Sequence, residues 1–86
     1  MPKLVIHTRA GRYIERLDAR IKAQLIGKLG ELSRDPDVMP GVKPMAGEWT
    51  GFYRLRHANL RIIYTHDRPN DTIIVAHVGP RGDVYK

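Results

Sequence analysis

Arg54 and Arg56 flank a single leucine, Arg61 follows shortly after, and "VGPRGDVYK" carries Arg81 and Tyr85. These residue types suit phosphate chemistry. A guanidinium fork matches phosphate oxygens bidentately and stays charged at any physiological pH. Several of them around one phosphodiester would stabilise the extra negative charge of a pentacoordinate transition state. Tyr85 adds a ring able to stack on a nucleobase and a hydroxyl able to give or take a hydrogen bond. Nearby cations would favour its phenolate. The blander alternative is a solvated strand face for the arginines and a surface tyrosine for Tyr85.

Positioning such a set is the task of the stretch "GFYRLRHANLRIIYTH", residues 51–66, in which apolar and basic side chains alternate. Successive strand residues point to opposite faces. Phe52, Arg54 and Arg56 therefore share one face, and Tyr53, Leu55 and His57 the other. With Tyr53 and Leu55 packed under helices, Arg54 and Arg56 project from the open face about 7 Å apart. Arg61 opens the next strand across a hairpin, and Arg81 follows a Gly-Pro turn that swings it back towards the same end.

The remaining elements follow from periodicity and punctuation. Residues 3–7 read as a first strand, with Thr8 as a helix N-cap. From 9 to about 32 the apolar positions Tyr13, Ile14, Leu17, Ile21, Leu25, Leu29 and Leu32 keep helical spacing. Asp18 caps a second helix after a break near Leu17. Gly27 and Gly30 weaken that helix by up to ~1 kcal/mol each and are expected to let it approach the sheet closely. Residues 33–51, rich in proline and glycine, read as a long loop. Strands follow at 52–57, 61–66 and 72–78, joined by compact turns, and Gly79–Pro80 is expected to stop the last. The order β-α-α-β-β-β predicts an α+β fold: one domain over 1–86, a helical hairpin packed on one face of a small, mainly antiparallel sheet, the other face open. The place of the first strand in the sheet is not specified.

Composition narrows the field. The net charge of +6 favours polyanionic partners, nucleic acid or an acidic protein. Without cysteine, disulfides and thiolate metal sites are impossible, which fits a reducing cytoplasm. No apolar run approaches the ~20 residues of a membrane span, and the start of the chain is too short in apolar residues for a secretory signal. His7, His66 and His77 fall on three predicted strands without metal-ligand spacing and read as separate polar residues. Trp49 reads as a packing residue, and "RGD" at 81–83 as a basic residue in a turn.

Over nearly its whole length the chain resembles the RelE/ParE superfamily of type II toxins. The likeness is carried by "RLDARIKAQLIGKLGELSRDP", "VKPMAGEWTGFYRLR", "LRIIYTH" and "VGPRGDVYK". In the family's ribosome-dependent ribonucleases, two basic residues on one strand, an arginine opening the next, another after the last and a terminal tyrosine do the cutting. The resemblance places these roles on Arg54, Arg56, Arg61, Arg81 and Tyr85. It implies cleavage of mRNA in the ribosomal A site by attack of a ribose 2′-hydroxyl on its own 3′-phosphate, without metal or cofactor. It also implies a cognate antitoxin, RelB-like, small and acidic.

The family's best-studied members carry lysines where this chain has Arg54 and Arg56. Arginine does not give up its proton, so the general base is open among Tyr85, His57 and His77, with His57 on the wrong face, and catalysis by charge stabilisation and positioning on the ribosome stands beside them. The chain also lacks a helix after Tyr85, which points to inhibition by covering the site or by bulk. Two other classes stand beside the ribonuclease: a ParE-like poison of DNA gyrase, against which the arginines and Tyr85 speak, and a non-catalytic module whose basic face docks an acidic partner.

Overall fold

The computed structural model describes residues 3–34 and 42–80. Lys3–Ile6 forms β1, Thr8–Glu15 α1 and Ala19–Arg34 α2. A three-residue strand β2, Val42–Pro44, and a single 3₁₀ turn, Gly47–Trp49, precede β3 (Tyr53–His57), β4 (Leu60–Asp67) and β5 (Thr72–Pro80). The sheet order is β1-β5-β4-β3-β2, with β1 parallel to β5 and every other pair antiparallel. The two helices and the antiparallel meander are the α+β arrangement expected.

Both helix starts are fixed by side chains. Asp18 Oδ1 accepts from the Arg20 N–H at 3.0 Å, as expected of a cap. The first helix begins one residue earlier than expected: Thr8 is already helical, and His7 caps it, Nδ1 accepting from the Arg9 N–H at 3.2 Å. An imidazole nitrogen supplies the acceptor that a hydroxyl was expected to provide.

Ala10 and Ile14 of α1 and Leu25, Leu29 and Leu32 of α2 pack on Leu55, Ile62, Tyr64, Ile73 and Val75. Tyr53 lies partly buried against this core, its ring stacked on Tyr64 at 5.6 Å. Helical spacing and strand alternation thus converge on one apolar layer. Gly27 and Gly30 contribute nothing to it. A Cβ at either would meet no atom within 4 Å, so no close helix–sheet approach depends on them.

Residues 33–51 hold more structure than their composition suggests. The α2 helix runs through Ser33 and Arg34, and β2 pairs with β3 through Val42–Leu55, Lys43–Arg54 and Pro44–Tyr53. A three-residue strand leaves no readable periodicity, and cross-strand bonds to β3 create it. Trp49 packs edge-to-face on Phe52, ring centroids 5.4 Å apart. Gly79 and Pro80 continue β5 instead of ending it, opposite Arg61 and Leu60. The β1 pairing reaches only Val75, so among the described residues β5 has no neighbour on that side beyond it, where a sheet tolerates proline.

The strand β1 is itself an edge. Leu4, Val5 and Ile6 are all exposed, Val5 at 47%. Among the described residues no helix is long and apolar enough to cross a membrane.

Candidate phosphate-binding face

Alternation along β3 sends Leu55 into the core and Arg54 and Arg56 to the opposite face. Arg56 is the Cα partner of Arg61, and Arg54 that of both Ile63 and Lys43. Two rows therefore cross the sheet side by side: Lys43, Arg54, Ile63 and His77 in one, Arg56, Arg61 and Gly79 in the next. Strands lie about 4.8 Å apart and the rows about 7 Å, so the four cationic positions occupy a patch of about 10 by 7 Å at the backbone.

Exposure grades across the patch. Lys43 and Arg56 are exposed and Arg54 half-buried, with its Nε lacking any hydrogen-bond partner. Arg61 is only 6% exposed. It was expected to project from an open face, and it is instead held within one. Arg61 has an interaction of its own in the fold. The face is likewise not wholly open: Ile63 is at 0% exposure, yet lies outside the helix-facing core. Its cross-strand neighbours on this side, Arg54 and His77, are long enough to lie over it.

Two pairs of like charges stand directly opposite one another, Lys43 with Arg54 and Arg56 with Arg61. Such pairs oppose folding by about 0.2–1 kcal/mol each. Among the described residues the only carboxylate that alternation brings to this side is Asp67, about 20 Å along β4 from Arg61. It is occupied with Asn70, whose Nδ2 donates to Asp67 Oδ2 at 2.8 Å.

Of the five residues singled out, the fold brings Arg54, Arg56 and Arg61 together. Arg81 and Tyr85 lie outside the described residues. Lys43 joins the patch without having been singled out, because nothing within the three residues of β2 announces a strand. The histidines separate. His7 caps α1, and His66 lies 3.8 Å from the Asp71 carboxylate by the β4–β5 turn. His57 shares the core side of β3 with Leu55. His77 shares the cationic face.

A sequence model described as "ParE toxin of type II toxin-antitoxin system, parDE" matches residues 4–85, and the chain belongs to that family. The toxin RelG of Mycobacterium tuberculosis is 31% identical over 80 residues, covering 92% of this chain and 90% of the relative. The RelBE2 toxin–antitoxin complex of the same organism matches with a TM-score of 0.80 at 29% identity, over 94% of this chain and all of that one. In the archaeal RelE–RelB complex of Pyrococcus horikoshii the TM-score is 0.82 at 22% identity, over 95% and 97% of the two chains. The isolated E. coli RelE toxin gives 0.78 at 22% identity, over 99% and 92%. The chain is a type II toxin of the RelE/ParE superfamily.

Proposed function

We propose that this toxin is a ribosome-dependent endoribonuclease that halts translation by cutting mRNA in the A site. The observation that carries the reading is the pair of cation–cation rows on the sheet face turned away from the helices. In this reading a ribose 2′-oxygen attacks the adjacent phosphorus, the bond to the 5′-oxygen breaks, and a 2′,3′-cyclic phosphate and a 5′-hydroxyl result. No metal takes part.

Arg61, held in place by burial, would stabilise the charge that develops on the phosphate with little reorganisation. Arg54 and Arg56, about 7 Å apart, grip the scissile phosphate and a neighbouring one. Arg81 and Tyr85 complete the set by resemblance, one as a further cation and the other stacking a base. The partner that restrains the toxin is a RelB-like antitoxin, small and acidic, matched to the +6 charge of this chain. Cytoplasmic action follows from the ribosomal target.

The second reading, a ParE-like poison of DNA gyrase, is favoured by the name of the matching family model. Induction followed by primer extension separates the two. Cuts in codon register support the ribonuclease, and broken DNA with intact message supports the gyrase poison. Arg61→Ala and, separately, Arg81→Ala should abolish the cuts and relieve growth arrest while antitoxin binding persists. Undiminished toxicity of both variants at equal expression would defeat the assigned site.

A further inference from the structure

The ribonuclease reading leaves one step unassigned. The attacking 2′-hydroxyl must lose a proton, and guanidinium groups cannot take it. We infer that His77 is the proton acceptor, placed among the arginines by a β-bulge and by the missing side chain of Gly79. The inference rests on the ribonuclease reading and deepens it.

The bulge determines which way His77 faces. In β5, Val75 belongs to the helix-facing core, and strict alternation would send His77 there too. The register shifts instead between Ile63 and Tyr64: Tyr64 pairs with Val75 but Ile63 with His77, so Ala76 is the extra residue. Val75 and Val78, three positions apart, both enter the core, and His77 and Gly79 turn to the cationic face. Bulges re-aim side chains in this manner beside functional sites.

Gly79 then makes room for the ring. A Cβ at this position would lie 2.9 Å from His77 Nε2, with Cδ2 and Cε1 at 3.6 and 3.7 Å. The imidazole therefore lies over the Gly79 backbone, which is the cross-strand partner of Arg61. Nε2 is buried there without a hydrogen bond. Nδ1 is farther from that position than those three atoms. A histidine kept for packing or for a structural hydrogen bond would have no need of both a bulge and a glycine to bring it beside Arg61.

The step balances as follows. Imidazole accepts the proton of the 2′-hydroxyl as the 2′-oxygen forms its bond to phosphorus. The bond to the 5′-oxygen breaks, and that oxygen takes a proton from water. The imidazolium returns its proton to water, so no net proton is consumed. Among the described residues, the other charged groups on this face are Arg54, Arg56 and Arg61, with Lys43 on β2, Lys3 on β1 and Asp67 at the far end of β4. Only imidazole, among these side-chain types, ordinarily changes charge between pH 5 and 8.

The test is single-turnover cleavage of mRNA on programmed ribosomes with excess toxin, as a function of pH. The wild-type rate should rise with pH across the imidazole range. His77→Asn, which keeps a polar atom near Nδ1 but accepts no proton, should lose about 100-fold or more and that rise with it. Should His77→Asn fail to fold or to bind antitoxin, Gly79→Ala decides. It retains the histidine but displaces its ring, and should lose at least about 10-fold. A wild-type rate and pH profile in the deciding variant overturns the assignment while leaving the ribonuclease intact. No cleavage by the wild type overturns both.

Discussion

If the cationic rows bind RNA phosphates, the affinity must carry their signature in its dependence on salt. Each cation that neutralises a phosphate of a single strand releases condensed counterions, lowering log K by about 0.7 per tenfold rise in salt. Lys43, Arg54 and Arg56 are the exposed or half-buried members of the patch. Replacing all three by glutamine should therefore flatten the slope by about 2. Over a fourfold rise in salt, wild-type affinity should fall about 20-fold more than that of the triple variant. Fluorescence anisotropy with a short 2′-O-methyl RNA, which cannot be cut, measures this directly. Stability should not confound it: surface substitutions stay within about 0.5 kcal/mol, and removing opposed like charges returns a few tenths. Equal slopes for the two proteins would mean that RNA does not lie across this face.

Two further predictions concern the scaffold. Leu55 sits between Arg54 and Arg56 and is fully buried, so Leu55→Ala should cost about 2–5 kcal/mol and lower Tm by at least about 10 °C in calorimetry. A smaller loss would mean that β3 is not held by the core. Gly27→Ala, at an α2 position where a Cβ meets nothing, should stabilise by about 0.5–1 kcal/mol and raise Tm by about 2–8 °C. A fall in Tm would contradict the open space found there.

Features governed by local rules were the ones legible in the sequence. Alternation separated Arg54 and Arg56 from Tyr53 and Leu55, and an acidic residue before a helical repeat located the cap at Asp18. Features set by distant partners were not. Val42–Pro44 becomes a strand because Leu55 and its neighbours offer bonds across the gap, and no pattern inside three residues announces that. The bulge at Ala76 is a mismatch between two strands, so β5 alone does not reveal it, and His77 changes faces because of it. Burial of Arg61 is likewise a property of its surroundings and not of its residue type. The glycines illustrate the same division. Gly27 and Gly30 looked structural within a helix, but a Cβ at either would meet nothing, whereas Gly79 looked like a strand breaker and instead seats an imidazole.

The parallel pairing of β1 with β5 has a consequence for how the chain is made. Lys3 finds its partner at Thr72, and β5 lies between β1 and the rest of the sheet. A nascent chain that has reached only the β3–β4 hairpin can form that hairpin and its helices, but β1 has nothing to bond to, and α1 lacks the strand on which it packs. Contacts so remote in sequence form late and slowly. The order of synthesis therefore delays the docking of β1 and α1 until β5 emerges.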